Sequence, residues 1–93
     1  MINKERLMDY IEANRILNFV IECAMDFFFG ADWRFREEFT QREYEKCDAL
    51  AFEIEGLFQD RKFIDILCET LETDTRPQDT ISDYILMELG VEI

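Results

Sequence analysis

Carboxylates are the one reactive group this chain carries in number, and the densest set lies in "REEFTQREYEKCD", residues 36–48, with Glu37, Glu38, Glu45 and Asp48. Clustered acids hold magnesium in all-helical nucleotide pyrophosphohydrolases, so a carboxylate-metal nucleotide hydrolase is the first chemistry to weigh. The fit is poor. Gln41 stands where a third acid is wanted, and Glu45 and Asp48 fall on the same helix instead of a facing one. Without histidine there is no Ser-His or Cys-His nucleophilic pair, no imidazole base and no imidazole ligand. The di-iron bundle motif Glu-x-x-His is likewise excluded.

Cys23, Cys47 and Cys68 lack C-x-x-C spacing, which argues against structural zinc. Odd in number and more than twenty residues apart, they are expected to be reduced, buried thiols of a cytoplasmic protein. Gly30, Gly56 and Gly90 are isolated, so no phosphate-cradling loop forms, and Asp74 with Asp79 does not match a calcium loop. The expectation is a protein that is not an enzyme and needs no metal or cofactor.

Twenty-two acids against ten bases give a formal charge of −12. Such a surface repels phosphates and anionic lipid, so direct nucleic-acid or membrane binding is disfavoured and a basic protein partner is attracted. The cationic candidate for nucleic acid, Arg34, Arg36 and Arg42, is interleaved with Glu37, Glu38 and Glu43, and helical ion pairs explain it more simply. No secretory signal is apparent, and Ile16 to Phe29 is too short and too charged to span a bilayer.

The elements that must position these groups are helical. With 48% apolar residues, 14% aromatics and one proline, the composition is that of a folded acidic domain covering residues 1–93. Apolar residues at Leu7, Ile11, Ile16, Leu17, Val20, Ile21, Ala24 and Phe28 predict one long helix from Asn3 or Lys4 to Phe29. Its second half is apolar on nearly all sides, as in the central element of a bundle. Gly30 ends it, and Asp32 is expected to cap a second long helix from Trp33 to about Gln59, with Phe39, Cys47, Leu50, Ile54, Leu57 and Phe58 facing inward. Asp60 is placed to cap a third helix with Phe63, Ile64, Leu67, Cys68 and Leu71 inside. "TDTRPQDT", residues 73–80, reads as a loop, and Thr80 with Asp83 as the cap of a short helix Ile81 to Leu89 closed by Gly90. The predicted fold is all-α, a small bundle of about four helices, two long and two short.

"FFFGADWRF", residues 27–35, sits at the first corner. Three consecutive helical positions cover about 200° of the circumference, so Phe27, Phe28 and Phe29 cannot all face one neighbour. An interhelical aromatic corner is expected, the alternative being that part of the cluster is exposed as a contact site.

Charge is graded along the chain. Residues 1–36 carry six acids and five bases, residues 37–62 eight and four, and residues 63–93 eight and one. On a helical wheel Phe52 falls opposite the inner face, among Glu45, Asp48 and Glu55. Acids four residues apart lie about 6 Å apart along a helix, comparable with successive phosphates of a nucleic-acid strand. The rows Asp65, Glu69, Glu72 and Glu45, Asp48, Glu55, with Tyr44 and Phe52 as anchors and Asp79 and Asp83 nearby, are the candidate partner-binding residues.

The resulting expectation is a stoichiometric binding protein that inhibits or regulates a basic, nucleic-acid-handling partner. By class analogy it compares with phage-encoded inhibitors of defence nucleases, anti-CRISPR proteins included and then acting in the host cytoplasm, and with nuclease immunity proteins. The alternative is a helical subunit of a homo-oligomer or larger assembly, suggested by the apolar segment "ILMELGVEI" with Ile85, Leu86, Met87, Leu89, Val91 and Ile93.

Overall fold

Helical periodicity becomes five α-helices where about four were expected. The computed structural model describes residues 2–35 and 37–91, and there the chain runs α1 (Lys4–Ala13), α2 (Ile16–Phe29), a 3-10 helix (Ala31–Phe35), α3 (Gln41–Leu57), α4 (Arg61–Thr73) and α5 (Pro77–Glu88), with no strand among the described residues.

The expected first helix is cut in two. Asn3 caps α1 by accepting from the Arg6 N–H at 2.9 Å, and Asn14 closes it, donating from Nδ2 to the Tyr10 carbonyl. Arg15 then adopts a left-handed conformation at φ 53° and ψ 37°, with neither glycine nor proline at the break. Local periodicity is overruled by burial. A straight helix over residues 4–29 would be about 39 Å long and would carry Leu7 and Ile11 away from the core. The turn instead packs α1 on α2 and α4, where both side chains are fully buried.

α2 is the central element, in contact with α1, α3, α5 and the 3-10 helix, and α5 also packs on α4. Ile16, Val20, Ala24 and Met25 of α2 join Leu50, Ile54, Leu67, Ile81 and Ile85 in a single apolar cluster fed by all five α-helices.

The second expected helix begins eight residues late, at Gln41. Trp33 to Phe35 form the 3-10 turn, so Asp32 does not cap an α-helix, and Thr40 does. Thr40 and Glu43 form a reciprocal capping box: the Glu43 N–H donates to Thr40 Oγ1, and the Thr40 N–H donates to Glu43 Oε1 at 2.9 Å. Thr-x-x-Glu is a helix-start signal in its own right. Phe39, expected in the core, is consequently outside the helix and partly exposed.

Asp60 caps α4 as expected, accepting from Lys62 and Phe63. The last loop shrinks because Pro77 occupies the first turn of α5, where its missing N–H costs nothing. Thr80 therefore lies inside the helix and donates to Asp74 Oδ2, and neither it nor Asp83 serves as a cap. At the far end Gly90 takes φ 81°, and the bonds Gly90 N–H to Met87 O and Val91 N–H to Leu86 O form a Schellman closure. Ile85, Leu86, Leu89 and Val91 are buried by it, while Met87 stays exposed and Ile93 lies outside the described residues.

Left-handed geometry costs a residue with a Cβ about 1–2 kcal/mol, and glycine returns part of that through its freer unfolded chain. Arg15→Gly should therefore stabilise the fold by about 0.5–1 kcal/mol, read as a higher urea midpoint at unchanged slope; a lower midpoint would show that the Arg15 side chain itself supports the turn.

Candidate protein-binding surface

Asp26, near the end of α2, organises the corner. Its Oδ1 accepts from Trp33 Nε1 at 2.6 Å and from Arg34 Nε at 3.1 Å, and its Oδ2 meets Arg34 Nη2 at 2.7 Å. Arg34 also reaches Glu22 at 4.0 Å, so its ion pairs run back to α2 and not along the second helix as expected. Gly30 permits the reversal: its φ of 86° and ψ of 154° lie in a region open essentially to glycine.

The phenylalanines of "FFFGADWRF" divide. Phe27 and Phe28 pack edge to face with centroids 5.1 Å apart, Lys46 covers the Phe28 ring at 3.9 Å, and both rings are partly exposed. Phe29 is half-buried against the core, whereas Phe35 is 86% exposed. The corner is thus held by tryptophan and a carboxylate, and most of the phenylalanine is left at the surface.

Trp33 opens an aromatic run. Its ring lies 5.5 Å from Phe39, which lies 5.8 Å from Tyr44 in the first turns of α3. With Met25, Glu43 and Cys47 these rings line a recess of about 200 Å³. The wall atoms are apolar, because the Glu43 carboxylate is turned to Thr40 and the Cys47 thiol points at Met25 Sδ, 3.6 Å away. Sequence reasoning did not anticipate this recess, which joins residues up to 22 positions apart.

The expected site residues are carried on three helices. On α3, Tyr44, Glu45, Asp48, Phe52 and Glu55 are all exposed and share one side of the helix, opposite the buried Glu43, Leu50 and Ile54. Phe52 is 78% exposed and Tyr44 55%. On α4, Asp65, Glu69 and Glu72 are exposed, opposite Phe63, Ile64, Leu67 and Cys68. Asp79 and Asp83 are exposed on α5, and the Asp83 charge reaches Cys23 of α2. α3 packs on α2 while α4 packs on α1 and α5, so the two acidic rows sit on separately supported helices that meet at the Phe58–Phe63 corner. Glu69 also borders a groove with Ile66, Thr73, Asp74 and Tyr84.

Burial pushes all three cysteine thiols up from their ordinary value, and neighbouring carboxylates add to it: Asp26 at Cys23, Asp48 at Cys47 and Asp65 at Cys68. Among the described residues no group of three or more His, Cys, Asp or Glu is placed to hold a metal ion, and no helix is long and apolar enough to cross a membrane. No protein-family model, curated protein or solved structure matches the chain.

Two outcomes follow from this geometry. Asp26→Ala removes the acceptor of two side chains and should cost about 1–2 kcal/mol, with a red shift of the Trp33 emission as the 3-10 helix loosens; unchanged emission would show that the rings alone hold the corner. For the thiols the folded state retains protons that the unfolded state releases, so stability is full below the ordinary thiol value of 9.0 and falls as pH rises through it. Urea midpoints between pH 7 and 10 should decline in the native chain and less in a Cys23→Ala, Cys47→Ala, Cys68→Ala variant.

Proposed function

We propose that this protein is a stoichiometric binding partner that occupies a basic groove of a nucleic-acid-handling protein, inhibiting or regulating it. One observation carries the reading: the Phe52 ring stands 78% exposed on a helix face otherwise made of Glu45, Asp48 and Glu55, with Tyr44 beside them. Burying such a ring on association is worth about 1.5–3 kcal/mol, whereas a purely acidic face gives only salt-sensitive, unselective attachment. Charge steers the encounter and the aromatics hold the complex. The α4 row of Asp65, Glu69 and Glu72 extends the field. Inhibition of a nuclease, as by a phage-encoded anti-defence protein or an immunity protein, is the setting that best suits this combination, with no nucleic acid or membrane bound directly.

Homo-oligomerisation is the second reading, favoured by Phe19, Phe27, Phe28 and Phe35, which remain exposed in the nearly neutral first third of the chain. Most of the C-terminal apolar residues no longer support it, since Ile85, Leu86, Leu89 and Val91 are spent on the protomer's own core.

Affinity capture from host lysate at low and high salt separates the two. Retention of a basic nuclease or nucleic-acid-binding complex, displaced by added DNA, supports groove occupation; recovery of the bait alone as a salt-insensitive multimer supports the oligomer. Phe52→Ala should weaken the captured complex by about 1–4 kcal/mol at an unchanged melting temperature. Glu69→Lys with Glu72→Lys should slow association more than it speeds dissociation at low salt, and an unaltered association rate would remove electrostatic steering from the account.

A further inference from the structure

The elbow between α1 and α2 is made by Asn14 and Arg15, and Arg15, at φ 53° and ψ 37°, is the one left-handed residue other than glycine among those described. A Cβ makes that conformation unfavourable. Around it the apolar spacing of a helix runs on from Leu7 and Ile11 to Ile16 and Val20, with Asn14 as the one stop signal. No side chain among the described residues caps α2. In a continuous helix the N–H groups of Ile16, Leu17 and Asn18 would donate to the carbonyls of Glu12, Ala13 and Asn14. The elbow is also loosely filled, since Met8, Ile11, Glu12, Arg15, Leu17 and Asn18 border a recess of about 320 Å³. What holds the bend is tertiary: α1 packs on α2 and α4, burying Leu7 and Ile11 completely. Those contacts do not require α1 to come from the same chain.

We infer that α1 is an exchangeable segment: Asn14 and Arg15 form a hinge that straightens to join α1 and α2 in one helix, and two copies of the chain then trade α1 in a domain-swapped dimer. A short hinge under strain is the condition that invites such exchange. Each copy regains from its partner the burial of Leu7 and Ile11 that it gives up, and each is relieved of its left-handed Arg15. Charge permits the trade. Residues 1–15 carry three acids, Glu5, Asp9 and Glu12, and three bases, Lys4, Arg6 and Arg15, so the moving segment is neutral and the rest of the chain holds the whole −12. A neutral segment docks on a second acidic chain without repulsion at the contact, and salt screens what remains between the two bodies. The inference is independent of groove occupation through Phe52.

Refolding decides it on the full chain. From urea at high protein concentration the native chain should give a dimer that persists on dilution, because release requires both α1 segments to detach, and at low concentration it should give monomer. Arg15→Ala favours helix at the hinge and Arg15→Gly favours the left-handed turn. After equilibration, sedimentation should therefore place the dimer dissociation constant of Arg15→Ala roughly a hundredfold below that of Arg15→Gly. In dimers refolded from a mixture of isotope-labelled and unlabelled chains, the Leu7 and Ile11 methyls of one copy should show nuclear Overhauser contacts to α4 methyls of the other.

A dimer without those contacts, as one formed through the exposed phenylalanines would be, overturns the exchange. So do equal dissociation constants for the two variants, or a native chain that refolds only to monomer at every concentration. None of these results touches capture of a basic partner through Phe52, and failure of that capture leaves the exchange standing.

Discussion

The aromatic corner of this protein depends on one carboxylate. Asp26 leaves the end of α2 and takes hydrogen bonds from the Trp33 indole and the Arg34 guanidinium, folding the chain after Gly30 back against the helix it has just left. Charge-assisted bonds of this kind are short and about twice as strong as neutral ones. Trp33 fixed in this way sets the ring of Phe39, which meets Tyr44, and the recess under Tyr44 exists because the first ring of the series is anchored.

A chain with 22 acids uses only some of them to build itself. Asp26 holds the corner, Glu43 completes the cap of α3 while 1% exposed, Asp60 caps α4, and Asp74 accepts from Thr80 and the Arg76 N–H. Each answers backbone or side-chain donors that would otherwise be unmatched. Asp48, Glu55, Asp65 and Glu72 stand exposed on the outer faces of α3 and α4. Acids engaged in the fold are thereby separated from acids presented to solvent, and Phe52 stands among the second group. That contrast sets the α3 face apart, with the Phe52 ring 78% exposed among solvent-facing carboxylates.

Much of the architecture is local and therefore legible in the residues. Helical class follows from apolar spacing and the scarcity of breakers, the end of α2 from Gly30, the start of α4 from Asp60, and the inner and outer faces of α4 from a clean alternation of Phe63, Ile64, Leu67 and Cys68 with Asp65, Glu69 and Glu72. Phe52 was placed among acids by a 100° rotation per residue alone, because α3 is regular through that position. The start of α3 was also legible, in Thr40 and Glu43, but the aromatics before it drew the helix boundary too early. Pro77 likewise marks the start of α5.

What the sequence determined by itself, then, is a helical, strongly acidic chain with an aromatic set in a charged face, since these properties depend on composition and on contacts within one or two turns. The tertiary structure decided the rest. Arg15 turns left-handed where Leu7 and Ile11 reach a core shared with α2 and α4, and Asn14 is the one stop signal at the break, with neither glycine nor proline beside it. The 3-10 corner arises from an acceptor seven positions away from the indole it binds, and the recess from Met25 meeting Cys47 across 22 residues. Such features are set by which faces find each other, and a period along a single helix carries no information about its neighbour.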